Sequence, residues 1–211
     1  MSANLLTQIS SNINTALILH RELADCFWFV YLPGYAMFQE YQYIAESIEQ
    51  RKLKRYIGST YGIYIPDTLS DSAEIANHLI GNKNRNQLSS EETQDIIKKC
   101  FAAHRDWETN SIQKYQKISL QLFDSVDISS FNFISSLIDD VKKELTFVTD
   151  KIIELNCIKF DMPQIVSEQD IWVERYEYLI KDILGKSEKY HHYNSNVDPD
   201  SRTTIFNKAS N

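Results

Sequence analysis

The chain has 211 residues, 43% of them apolar and 24% charged, and its 22 basic and 29 acidic side chains leave a formal net charge of −7. That length and composition fit one globular domain with a real core, and the negative balance argues against nucleic acid or an anionic membrane as the main partner. Five glycines and four prolines are few for turn-rich sandwiches and barrels, while twelve tyrosines and ten phenylalanines are too many for a disordered chain. Cys26, Cys100 and Cys157 are odd in number, widely spaced and form no Cys-x-x-Cys pair. A disulfide framework or a thiolate zinc site is therefore not expected, and a cytoplasmic setting is. No apolar run reaches the roughly 18 residues that would span a bilayer, and the N-terminus does not read as a signal peptide.

Helical periodicity opens the chain. Leu5, Ile9, Ile13, Ala16, Leu19, Leu23, Cys26, Phe27 and Val30 form one broad stripe, predicting a first helix from about Asn4 to Leu32. Pro33-Gly34 is expected to stop it, since proline cannot continue a helix and glycine tolerates the reversal. A second helix is predicted from near Tyr35 to about Ser59, antiparallel to the first because the connection is so short. Residues 60–88 break the pattern: "YGIYIPDTL" reads as extended, "DSAEIANHLI" as a helical turn or two, and "GNKNRNQLSS" as a polar loop. Together they make a long crossover.

Ser89-Ser90 before Glu91-Glu92 reads as an N-cap followed by acidic first-turn residues. The helix it opens carries Ile97, Phe101, His104, Trp107, Glu108, Ile112, Tyr115 and Ile118 at helical spacing. After "DSVDISS", a fourth helix is predicted from Phe131 to about Leu155, with Leu137, Val141, Leu145, Val148 and Ile152 inward. "FDMPQ" breaks the chain again before a shorter fifth helix, Glu168 to Leu184. The expected fold class is all-α: an up-down four-helix bundle with one long crossover between helices 2 and 3, plus a short fifth helix. Residues 1–185 are expected to form this bundle and 186–211 a polar, flexible tail.

Acidic residues fall where the core should be. Glu22 shares a face with Leu19, Cys26 and Phe29; Glu46 and Glu49 project together from the stripe of Phe38, Gln42, Leu53 and Tyr56. Counted from Pro33-Gly34 at about 1.5 Å per residue, Glu22 and the Glu46/Glu49 pair reach nearly one height. Glu108, Asp140 and Glu144 repeat the arrangement around a turn near Asp127. Six acids from four helices are thus expected in one layer, where unpaired burial would cost several kcal/mol per ion. Two divalent cations would offset that, and oxygen-rich donors suit iron or manganese. Lysines, Lys143 among them, are the alternative counter-charge.

In that order and spacing the chain resembles the ferritin-like superfamily, the non-haem ferritins most closely. "ELADCFWFVYL" (22–32) looks like the first ferritin helix, "YIAESIEQRKLKRYI" (43–57) like the second with its Glu-x-x-His hallmark, and "GIYIPDTL" falls where ferritins carry an extended crossover. "WETNSI" (107–112) takes the place of the third-helix Glu, and "FISSLIDDVKKEL" (133–145) is similar to the fourth helix. The resemblance implies a carboxylate-bridged dinuclear iron or manganese site with Glu22, Glu46, Glu49 and Glu108 as ligands and Glu46 bridging. Asp140, Glu144 and His104 are further candidates. It also implies ferroxidase-like oxidation of Fe(II) by oxygen or peroxide, and a homo-oligomer, dimer or larger. The ligand set is degenerate: Glu49 stands where the family has His, Asp140 where ferritins place Gln, and Lys143 where relatives carry a second His. The rival expectation is a metal-free ferritin-like bundle acting as a protein-interaction or regulatory module, its acids paired with Lys143 and neighbouring bases.

Overall fold

A computed structural model describes residues 2–66, 78–81 and 83–192, the last seven of these by their helical backbone alone. The helices are α1 (Ser2–Phe29), α2 (Pro33–Tyr61), α3 (Ser90–Asp124), α4 (Ile128–Cys157), α5 (Met162–Ser167) and α6 (Gln169–His192), with a 3₁₀ turn at Arg85–Gln87. The all-α expectation holds, and no strand occurs among the described residues. α1 packs on α2 and on α3, α3 on α4, and α6 lies along α2. Of the crossover, 62–66 are neither helix nor strand and 78–80 are helical; the rest of "IPDTL" and of "DSAEIANHLI" lies outside the described residues. The α6 backbone runs past 185 to His192, and 193–211 lie outside the description. No described helix is long and apolar enough to cross a membrane.

The turn between α1 and α2 differs from the expected one. Pro33 does not stop α1, which ends at Phe29; it opens α2, where its missing N–H costs nothing. The left-handed residue is Tyr31, with φ 60°. Its amide bonds the Trp28 carbonyl at 3.2 Å and the Leu32 amide bonds that of Phe27 at 3.0 Å, the paired bonds of a Schellman ending. Gly34 serves packing instead. A Cβ there would lie 2.5 Å from Cβ of Trp172 and 2.8 Å from the Gln169 carbonyl, both in α6.

The N-terminus of α2 has no cap from its own N-cap residue, Leu32. Gln169 supplies one from α6: its Oε1 accepts from the Gly34 amide at 2.8 Å and the Tyr35 amide at 3.3 Å. α3 is capped locally, with Ser89 and Glu92 forming a reciprocal capping box. The buried Lys151 ties α4 to the α5–α6 corner through Glu168 at 2.7 Å, and reaches Glu154 at 3.0 Å.

The core falls into two parts. One gathers Leu19, Leu23, Phe27, Tyr35, Phe38, Phe101, Val148 and Tyr176; the other gathers Leu6, Ile9, Ile13, Leu53, Ile57, Tyr115, Ile134 and Val141. On α3 no fully buried apolar side chain lies between Phe101 and Tyr115, and on α4 none lies between Val141 and Val148. His104, Glu108 and Ser111 fill the first gap and Glu144 the second, all buried.

Because α6 sits against the bare backbone of α2, Gly34→Ala is expected to destabilise the bundle by about 1–3 kcal/mol through overpacking. Urea unfolding followed by circular dichroism measures it; a midpoint equal to that of the parent would mean that α6 is not seated there.

Candidate metal centre

The gap between the two core halves is bridged by side chains from all four long helices. On α3, i, i+4 spacing puts His104 and Glu108 on one face, a turn apart. α4 contributes Glu144, α1 contributes His20, and α2 contributes Gln39; all five are buried. The Gln39 amide links the two imidazoles, its Oε1 2.9 Å from His20 Nδ1 and its Nε2 3.1 Å from His104 Nδ1. His104 Nε2 lies 3.0 Å from Glu144 Oε1 and 3.5 Å from Glu108 Oε1. The two rings meet edge to face, centroids 4.8 Å apart. One donor atom from each of His20, His104, Glu108 and Glu144 lies within 4.8 Å of all the others. His20 Nε2 has no hydrogen-bond partner among the described residues.

The ionisations pull apart. Burial, and then the charge of His104, lower the His20 pKa to about 4, so this ring is neutral near pH 7. Burial also disfavours charge on His104, but hydrogen bonds and charge from Glu108 and Glu144 outweigh it and raise its pKa to about 9. Glu108 is pushed up to about 7 by burial and by Glu144, against the pull of His104. Glu46 is raised well above the carboxylate range by burial, then by Glu144, Glu108 and Glu49, which places it within electrostatic reach of the group.

Beside this group is a cavity of about 30 Å³, enough for one water-sized occupant, lined by Glu46, Glu49, Asp140 and Glu144 among apolar side chains. Glu144 thus borders both regions. Glu49 and Asp140 are only half-buried, and each has a lysine partner on its own helix, Lys52 and Lys143. Lys143 therefore pairs at the rim rather than entering the buried group. Glu22 is buried on α1 but is not one of the four converging residues. Of the seven residues singled out from sequence, His104, Glu108 and Glu144 come together directly. Glu46, Glu49 and Asp140 gather with Glu144 around the cavity, and Glu22 is not among the four.

His20 and Gln39 were not anticipated. Both occupy stripe positions: Ala16, His20, Leu23 and Phe27 are spaced by four, three and four, as are Tyr35, Gln39, Gln42 and Glu46. A polar residue on an apolar stripe is the signal that the sequence carries for both.

No protein-family model and no protein of curated function matches the chain. Solved structures do. The open pore ferritin of the hyperthermophilic archaeon Archaeoglobus fulgidus aligns over 80% of this chain and 92% of its own, at 16% identity and a TM-score of 0.61. A humanized archaeal ferritin aligns over 82% and 93%, at 13% identity and a TM-score of 0.67. A closed form of the Archaeoglobus fulgidus ferritin, engineered by site-directed mutagenesis, aligns over 82% and 94%, at 15% identity and a TM-score of 0.63. The fold is ferritin-like. At such identities the likeness is one of fold alone, so the roles of the His/Glu group within this ferritin-like bundle rest on its own geometry.

His104 gives a pH dependence whose sign is fixed. Its folded pKa, about 9, exceeds the ordinary 6.5. Its contribution is therefore full below about pH 6.5 and lost as pH rises through about 9. Metal-free protein is expected to lose about 1–3 kcal/mol between pH 7 and 9.5 in urea unfolding, with the His104 ring titrating near pH 9 by NMR. A flat profile with His104 neutral at pH 7 would exclude an imidazolium between the two carboxylates.

Proposed function

We propose that this chain is a ferritin-like metal protein, taking iron or manganese into the middle of the bundle and, with iron, oxidising Fe(II) by oxygen or peroxide. One observation carries the reading: four buried residues from three helices each bring a donor atom within 4.8 Å of the others, and His20, one of the four, has an Nε2 without a hydrogen-bond partner among the described residues.

The donor set fits a divalent cation. Opposed ligands of an ion with bonds of about 2.1 Å lie about 4.2 Å apart, so a spread of 4.8 Å needs only small inward movement. Mixed imidazole and carboxylate donors suit iron and manganese. Glu108 and Glu144 supply negative charge in a place where, without a cation, each would be costly. The raised Glu108 and Glu46 fit the same account, because a carboxylate crowded by others holds its proton until a cation arrives. The adjoining cavity offers Glu46, Glu49 and Asp140 to a second ion, with Glu144 as the shared ligand. Bound iron supplies the electron given up to oxygen or peroxide. The protein's own share is to hold the ions, balance their charge and, through the two apolar halves, exclude bulk water.

A second reading has its own support. His104, with its pKa raised to about 9, is a cation already seated between Glu108 and Glu144, and Asp140 and Glu49 already have lysines. A metal-free bundle kept as an interaction or regulatory module would be neutralised in this way.

Elemental analysis after expression with iron or manganese separates the two. The metal reading expects close to two ions per chain, and loss of both in Glu144→Ala because that carboxylate borders both positions. Glu46→Ala is expected to keep the first ion. Excess metal should also raise the unfolding free energy, by about 2.7 kcal/mol at a hundredfold excess over Kd. Metal content near zero with unchanged melting would leave the metal-free module.

A further inference from the structure

We propose that Gln39 limits the buried group to a single imidazole ligand and that this ligand is His20, with His104 serving as a hydrogen-bond donor to Glu144. The inference deepens the metal reading and rests on it for the word ligand; the arrangement of protons does not.

A glutamine side chain has one donor end, the amide nitrogen, and one acceptor end, the oxygen. Here the two ends face two ring nitrogens of the same kind, His20 Nδ1 at 2.9 Å and His104 Nδ1 at 3.1 Å. The ring that faces the oxygen must carry a hydrogen on Nδ1, and the ring that faces the nitrogen must not. Whichever way the amide is turned, the two Nδ1 atoms are opposite in protonation. A neutral imidazole has its hydrogen on one nitrogen and its lone pair on the other. At most one of the two rings can therefore turn a bare Nε2 toward the carboxylates, whatever the charge on His104.

The surroundings decide which ring it is. His104 Nε2 already has an acceptor, Glu144 Oε1 at 3.0 Å, and so uses a hydrogen there. His20 Nε2 is fully buried and has no hydrogen-bond partner among the described residues. With Gln39 Oε1 toward His20, that nitrogen is a bare lone pair on a residue of the converging group, a position a cation satisfies. The amide takes this turn when a bound cation displaces the extra proton of His104 and leaves that ring neutral. In the reverse orientation His20 Nε2 is an N–H without an acceptor, an unmet donor that metal binding relieves. A protonated His104 requires this orientation in the metal-free protein, because both its nitrogens then carry hydrogen. Gln39 is thus a positioning residue: it acts on the site through the tautomers of two rings.

The test begins on the metal-free full-length protein labelled with ¹⁵N histidine. Long-range ¹H–¹⁵N NMR is expected to give one buried ring with hydrogen on Nδ1 and the other without; both protonated or both bare at Nδ1 would overturn the relay. Gln39→Glu offers an acceptor to each ring and should leave both with Nδ1–H, a change that simple loosening of the core would not produce. Mn(II) alone is then the probe. Pulsed EPR should count one coordinated imidazole nitrogen in the parent and two in Gln39→Glu. That nitrogen should disappear in His20→Ala and persist in His104→Ala. Two nitrogens in the parent, or loss in His104→Ala instead, would overturn the assignment of His20. If Mn(II) does not bind at all, the metal reading and the ligand assignment fall together, while the NMR result still decides the proton arrangement.

Discussion

His104 Nε2 lies 3.0 Å from Glu144 and 3.5 Å from Glu108, at a level of the bundle where apolar side chains close in from both ends. An isolated carboxylate at such a depth costs several kcal/mol, and two side by side cost more, so a positive charge among them or a proton on one of them must offset the cost. A proton on His104 meets that need in part, which is why burial fails to keep this imidazole neutral. The need itself is general. The potential that draws a proton to His104 also draws a divalent cation, and the two compete for the same carboxylates.

The rest of the bundle makes that concentration of charge tolerable. Each side of the polar layer is packed by large apolar side chains, with Phe27, Tyr35, Phe38 and Phe101 fully or almost fully buried on one side and Leu6, Ile9, Leu53 and Ile57 on the other. Ring contacts from Phe38 to Trp172 and Tyr176 carry the first cluster across to α6. The helices are held at their ends by contacts from elsewhere: Gln169 caps α2, and Lys151 binds α4 to Glu168. Gln39 projects from α2 five residues beyond Gly34, so a fixed start for that helix also fixes the height of the amide between the two histidines. α6 therefore reaches the site through backbone position, without contributing a ligand.

Much of the architecture was legible in the sequence because periods of 3.6 residues are long and repetitive here, and because Ser89 and Glu92 mark a helix start by a mechanism that needs no partner. The first turn was misread for a physical reason: Pro33-Gly34 invites a stop reading, but the reversal belongs to Tyr31, and the glycine answers to Trp172, a neighbour 138 positions away in the chain. The site was partly legible. Glu108, Glu144 and His104 were found because one helix turn separates the first and last of them and helix heights can be counted. His20 escaped because its meaning depends on Gln39, and a glutamine on an apolar stripe looks like an imperfect core residue until a ring is seen at each end of its amide. Glu22 is buried on α1, and which neighbours it meets is set by rotation about the helix axis, which counting residues does not resolve.

The order of donors along the bundle gives the apparent degeneracy a physical sense. Gln39 and Glu46 are seven residues apart on α2, about 10 Å along the axis, and His104 and Glu108 about 6 Å apart on α3. The imidazoles and the amide thus occupy one level, Glu46, Glu49 and Asp140 another, and Glu108 and Glu144 stand between them. The first level is dry and rich in nitrogen; the second is rich in oxygen, half open, and edged by Lys52 and Lys143. Under the metal reading, an ion held by nitrogen and carboxylate in the buried level would exchange slowly, because every ligand it loses must find another partner in a closely packed core. An ion in the outer level meets carboxylates that lysines already satisfy in part, and binds more weakly. Under the metal reading the two positions are therefore unequal by construction, with Glu144 as the link through which occupancy of the inner one alters the charge felt by the outer.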